Sequence, residues 1–229
     1  MKQKTAVRLA ALLIAISVPV LITLLAVESI AFSEQFYLHQ HQKLGLEHAT
    51  GFSASNYLQF SRALQDYYHG HIASPQIIIP TDYGPQPLYK DHELAHLVDV
   101  YHLFRLGFTI RNLAMVLLLT GITLLLTFRK HRAWRIIVTA IGIGSTGGIV
   151  LFLLLLLAVK LDFSQAFTYF HLISFDNMLW QLDPAKDNLI KMFPEQFFLN
   201  ATVAITGRAL TVLTILAIFS LIPWRRDIR

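Results

Sequence analysis

Four long apolar runs divide the chain, at about 7–32, 108–128, 136–159 and 201–223. Each reaches the roughly 20 residues that an α-helix needs to cross the hydrocarbon of a bilayer. Backbone N–H and C=O groups find no water in that layer, so all four runs are predicted to be helices. The first run could be a secretory signal, since Lys2, Lys4 and Arg8 form a basic head. It is longer than the roughly 7–15 apolar residues of a signal core, however, and no small-x-small cleavage pattern precedes Glu28. It is predicted to be a retained helix.

Two longer connections lie between the runs, at about 33–107 and 160–200. In the first, Tyr57, Phe60, Leu64 and Tyr67 recur at spacings of three and four, which predicts an amphipathic helix over 53–68. Residues 77–79 before Pro80 read as a short extended piece, and Tyr83-Gly84-Pro85 as a turn. From 91 to 106 the pattern is helical again. The second connection is rich in Phe, Trp, Asp and Pro. Asp183-Pro184 starts a turn or the first turn of a helix. Leu189, Ile190, Phe193, Phe197 and Phe198 give that segment an apolar side suited to the headgroup region. In the third run, Ala140, Gly144 and Gly148 stand four apart, a spacing that lets helices approach closely. No internal repeat is present.

Composition agrees with the pattern. Only 14% of the 229 residues are charged and 55% are hydrophobic, against about 25% charged in a soluble domain. The mean hydropathy is +0.53. The net charge of +5 reflects topology and not nucleic-acid binding. Lys2, Lys4 and Arg8, then Arg129, Lys130, Arg132 and Arg135, then Arg225, Arg226 and Arg229 are ten of the 19 basic residues. All lie in three very short segments on one side of the predicted spans. The positive-inside rule therefore puts both termini in the cytoplasm and both long connections outside. Trp134 and Trp224 fit the aromatic belt at the inner interface. The expected fold is an all-α membrane protein, a single membrane domain over 1–229. Its four spans carry two extracytoplasmic, partly helical segments that form a cap. The absence of Cys excludes a thiol nucleophile and thiolate metal sites.

Chemistry concentrates in two places. In Lys90-Asp91-His92-Glu93-Leu94-Ala95-His96-Leu97-Val98-Asp99, a helix would set His92, His96 and Asp99 on one face. A carboxylate beside an imidazole fixes its tautomer and raises its basicity. The same stretch reads HELAH, the HExxH pattern in which His92 and His96 would hold zinc and Glu93 would activate water. Glu195 or His171 could serve as third ligand, but no local spacing demands either. The second place is 169–180, where His171 stands among aromatics with Ser174 and Asp176 close by. Glu28, Arg111 and Arg208 sit near the ends of spans. There an ionisable group needs a partner or a cavity, and Glu28 is expected to pair with one of the two Arg.

With these residues in view, the chain resembles the bacterial membrane-protein family that includes the lipoprotein intramolecular transacylase. The resemblance rests on the four-span layout and on His96-Leu97-x-Asp99-Val100 just before the second span. It rests also on the run Phe170-His171, Phe175, Asn177, Trp180, Leu182, Pro184, Asp187, Leu189-Ile190, Met192-Phe193-Pro194-Glu195 and Phe197-Phe198. His92 falls outside the shared pattern, and Leu172 stands where members often carry an acid.

The resemblance implies transfer of one ester-linked acyl chain within a diacylglyceryl-cysteine lipoprotein. The chain would move to the α-amino group of the same cysteine, giving an N-acyl S-monoacylglyceryl product. It implies His96 and His171 as catalytic acid and base at the outer leaflet, with no assignment between them. Asp99, Asn177, Trp180, Arg111 and Arg208 are the candidates for orientation or for the oxyanion. No cofactor is implied. The partners are modified lipoproteins and membrane lipids, with no nucleic acid, and the oligomeric state is not specified. A zinc-dependent membrane peptidase built on HELAH and a non-enzymatic accessory protein are the alternatives.

Overall fold

The computed structural model describes residues 2–81 and 84–222. Tyr83 of the expected turn lies outside the described residues, as do Pro223, Trp224, Arg225, Arg226 and Arg229. In order come α1 (Lys2–Ala31), α2 (Glu34–Lys43), α3 (Leu46–Thr50), α4 (Ala54–His69), β1 (Ile78–Thr81), β2 (Gly84–Pro87), α5 (Asp91–Leu161), α6 (Phe163–Ser174), α7 (Asn188–Met192) and α8 (Glu195–Leu221). Among the described residues, four helical segments are long and apolar enough to cross a membrane: Gln3–Ala31, Asp91–Arg129, Arg132–Leu161 and Glu195–Leu221. They take in nearly all of the four apolar runs, and the fold is that of an all-α membrane protein.

The chain forms two compact units. The first comprises the described residues of Met1–Glu28, Phe108–Leu157 and Ala204–Arg229. Helix α5 is assigned without a break over 71 residues, which as a straight rod would measure roughly 107 Å. Its two halves nevertheless both pack on α1. A Cβ on Gly121 would lie 2.8 Å from the Ala10 carbonyl, and one on Gly144 would strike the Ala15 carbonyl. Further along, one on Gly148 would lie 2.9 Å from Pro19. The half holding Arg111, which pairs with Glu28, runs antiparallel to α1, while the half with Gly144 and Gly148 runs parallel. The chain therefore reverses between Gly121 and Gly144. Helix α8 packs antiparallel on the second half, since Gly142 abuts Ser220 and Gly148 abuts Leu213.

Of the small residues at 140, 144 and 148, Gly144 thus meets the Ala15 backbone and Gly148 the Pro19 and Leu213 side chains, and Ala140 is buried. Gly144→Ala is expected to lower the melting temperature in detergent, since overpacking costs about 1–3 kcal/mol. Gly147→Ala, whose added Cβ meets nothing within 4 Å, is expected to leave it unchanged.

The second unit comprises Ser29–Gly107 and Ala158–Val203. Helix α4 forms where the periodicity predicts it. Ser53 caps it by accepting from Asn56 N at 3.3 Å. Gly70 ends it at φ 80°, a backbone state that glycine adopts without cost. Its buried stripe is Tyr57, Phe60, Leu64, Tyr67 and Tyr68. That stripe joins Tyr37, Leu46, Leu88, Tyr89 and Leu97 from the first connection to Leu189, Met192, Phe193 and Phe197 from the second connection. Tyr57 Oη donates to the Met192 carbonyl at 3.1 Å within this core. The extended piece is one strand of a hairpin in which Ile78 pairs with Pro87 and Thr81 with Gly84.

Helices α2, α3 and α6 do not stand out in the sequence. The first two are 10 and 5 residues long and mix His and Gln with their apolar positions, so no clean period emerges. Helix α8 begins at Glu195, ahead of the apolar run at 201, because Pro194 provides a start that needs no N–H.

Candidate active site

Residues 91–107 of α5 belong to the second unit and precede the apolar run at 108–128. Along them Glu93, His96 and Leu97 are buried, at 0%, 8% and 2% exposure, while Asp91, His92 and Val98 face outward. His96 therefore lies at the margin of the apolar stripe. Helix α6 supplies the second imidazole. Asp162 caps it by accepting from Gln165 N at 2.9 Å, and His171 is 7% exposed on its inner side.

The two rings, 75 positions apart in sequence, come to a centroid separation of 6.3 Å. Phe175 stands beside both, 5.3 Å from His96 and 5.7 Å from His171. Trp180 stacks on His171 at 4.7 Å and Phe167 meets it edge-on at 4.3 Å.

Polar detail gives the two histidines different states. His171 Nδ1 lies 2.7 Å from the Phe167 carbonyl. A carbonyl only accepts, so Nδ1 carries the proton and Nε2 presents a lone pair. His96 Nδ1 and Trp180 Nε1 are buried with no hydrogen-bond partner among the described residues. Buried polar atoms are nearly always bonded, so these two have capacity to spare for a reacting group. Asp99 does not bond His96. Its carboxylate accepts from Asn177 Nδ2 at 2.9 Å, and Asn177 Oδ1 accepts from Leu179 N at 2.9 Å. Asn177 thereby fastens the loop that bears Trp180 to the helix that bears His96. Arg111 and Arg208 belong to the first unit, where Arg111 pairs with Glu28.

Burial, then the neighbouring His171, pull His96 down to about 4, against the opposing charge of Asp99. Burial also lowers His171, against the Phe167 carbonyl that favours its protonated form. Both imidazoles are thus neutral at pH 7. The unfolded chain, with ordinary histidines near 6.5, takes up the proton first as pH falls. Stability is therefore complete above about pH 6.5 and declines toward pH 4, by about 3 kcal/mol for His96 at 1.36 kcal/mol per unit. Melting temperatures in detergent should fall more steeply over that interval for the native chain than for His96→Gln. Equal slopes would mean that His96 is not held neutral.

The three polar members of HELAH have three separate partners. His92 Nε2 meets Asp187 Oδ2 at 3.0 Å. Glu93 accepts from Lys90 N at 2.8 Å and from Leu189 N at 2.7 Å. His96 faces His171. Glu195, the other suggested ligand, accepts from Ser164 Oγ at 3.2 Å. Among the described residues no three His, Cys, Asp or Glu are grouped to hold a metal.

Glu93 and Asp187 are the residues whose roles sequence reasoning missed. Asp187 is 3% exposed. Burial opposes its charge, yet bonds from His92, Asp183 N and Lys90 hold its carboxyl down at about 2. The signal for Glu93 was its place three residues after Lys90 at a helix start, where a Glu reaches back to the first amide.

The sequence matches the family model described as lipoprotein intramolecular transacylase Lit over residues 12–198. The chain belongs to the Lit family. Its fold is shared with the in meso structure of the membrane integral lipoprotein intramolecular transacylase Lit from Bacillus cereus. The two are 21% identical with a TM-score of 0.76, and the match covers 93% of each chain. A form of that protein with one histidine replaced by arginine is similar at 20% identity and TM-score 0.73, covering 95% of this chain and 92% of the other. Among curated proteins no sequence matches. Family membership makes this chain a multi-pass membrane enzyme of the transacylase class.

Proposed function

We propose that this chain moves an ester-linked acyl chain from the glycerol of a diacylglyceryl-cysteine lipoprotein to the α-amino group of that cysteine. The observation that carries the reading is the 6.3 Å pairing of His96 with His171, which spans about one functional group. A group between the rings can lie within the roughly 2.6–3.2 Å of both that proton transfer needs.

His171 is the first base, because its free Nε2 lone pair is fixed by the Phe167 carbonyl. As the amine nitrogen bonds to the ester carbonyl carbon, Nε2 takes the amine proton. As the carbon–oxygen bond to glycerol breaks, that proton passes to the departing oxygen, with His96 as relay. One proton leaves nitrogen and one reaches oxygen, so nothing is consumed. Trp180 Nε1 donates to the oxyanion of the tetrahedral intermediate. Asn177 and Asp99 hold this loop in register. Donor and acceptor belong to one molecule, so proximity removes much of the entropic barrier without an acyl-enzyme.

The distribution of Lys and Arg supports both termini in the cytoplasm and the histidine pair at the outer leaflet, the depth of a lipoprotein's ester bonds. Expression in a bacterium whose lipoproteins have free amino termini tests the reading. Mass spectrometry of the N-terminal lipopeptide should show one acyl chain shifted from glycerol to nitrogen with total mass unchanged. A lipopeptide with all its acyl chains still on glycerol would overturn it.

A further inference from the structure

Helix α6 has an apolar side that its own unit leaves uncovered. At 100° per residue, Phe163, Phe167, His171 and Ser174 share one side and Tyr169, Leu172 and Ile173 the other. The second set is exposed by 56%, 52% and 86%. Leu161 just before the helix and Met178 just after it are open as well. Elsewhere in the same unit, α4 buries its Tyr, Phe and Leu and turns Ser55, Asn56, Gln59, Arg62 and Asp66 outward. Within one unit, then, α4 is dressed for water and α6 is not.

Chain connection identifies what covers the open side. Helix α6 starts two residues after Leu161, where the third membrane-spanning segment ends. Lys160 and Asp162 mark a polar level at that point. From 163 to 174 there is no Asp, Glu, Lys or Arg. Twelve residues make a helix of roughly 18 Å, too short to cross about 30 Å of hydrocarbon. A short, uncharged helix with one exposed apolar side, directly after a span, suits the interface plane.

We propose that α6 lies in the membrane surface with Tyr169, Leu172 and Ile173 among the lipid acyl chains. His171, on the opposite side, is thereby held about one helix diameter, ~10 Å, from the hydrocarbon. This deepens the proposed function and rests on His171 acting there. To meet His171 the substrate ester must therefore rise about one helix diameter above the acyl boundary, while the far ends of its chains stay in the bilayer.

The absence of native Cys allows a clean test. Ile173→Cys, Leu172→Cys and, on α4, Gln59→Cys are each labelled with a nitroxide. The protein is reconstituted into phosphatidylethanolamine and phosphatidylglycerol vesicles. Collision rates are then read against oxygen and a water-soluble nickel chelate. Labels at 172 and 173 should favour oxygen several-fold, and the label at 59 should favour nickel. Nickel preference at 172 and 173 would overturn the proposal, as would exclusion of both reagents, which would mean cover by protein. No substrate is present, so this result stands apart from whether His171 is catalytic.

Discussion

His171→Asn is expected to stop acyl transfer while leaving the fold intact. The asparagine amide can occupy the place of Nδ1 and still donate to the Phe167 carbonyl, 2.7 Å from that nitrogen in the native chain. What it cannot supply is the Nε2 lone pair. General acid–base catalysis contributes about 10²–10⁴-fold, and the initial rate should fall by that order. His96→Gln should fall comparably, since it removes the relay. The double variant should lose little more than either single one, because the pair moves one proton and groups acting as a unit are not additive. Rates come from mass spectrometry of lipopeptides formed by purified enzyme in vesicles, with melting temperature above pH 6.5 as the folding check. A His171→Asn enzyme within about tenfold of the native rate would remove the histidine pair from the chemistry.

The spans were legible because one physical demand dominates them: a backbone in hydrocarbon must be a helix, and about twenty apolar residues declare it. Helix α4 was legible for a related reason, since its stripe from Tyr57 to Tyr67 repeats often enough to show a face. The site was legible as two clusters, while their meeting at 6.3 Å depended on family resemblance, because no local rule links positions 96 and 171. What stayed hidden was fixed by tertiary context. Asp99 looked like a partner for His96 from helical spacing, but Asn177, brought in from the second connection, offers it an amide. Helix α6 lacks a polar side that would reveal a period, since both its sides carry aromatics. The reversal inside α5 was legible in the sequence, because Arg129, Lys130, Arg132 and Arg135 interrupt the apolar runs on either side.

Glu93 shows how a motif can mislead and still matter, and its removal should be the most destabilising change in the second unit. Its side chain is fully buried at 0% exposure. One oxygen accepts from Lys90 N at 2.8 Å, where α5 begins, and the other from Leu189 N at 2.7 Å, in α7. Glu93→Ala would strand two amides in the core at about 1–3 kcal/mol each and loosen α7 from α5. Leu189 follows the loop that carries Asn177 and Trp180, so the tie that Glu93 makes also sets the wall of the histidine pair one turn along the same helix. Glu93→Gln keeps the shape and one acceptor but turns an NH2 group toward the other amide, so its loss of stability should be intermediate. Chemical unfolding in detergent measures both. The same two variants separate the structural role from the metallopeptidase reading. If Glu93 activated a water, Glu93→Gln would abolish activity with the fold barely changed. If it ties α5 to α7, activity per folded molecule in Glu93→Gln stays within about tenfold of native, and Glu93→Ala loses stability and activity together.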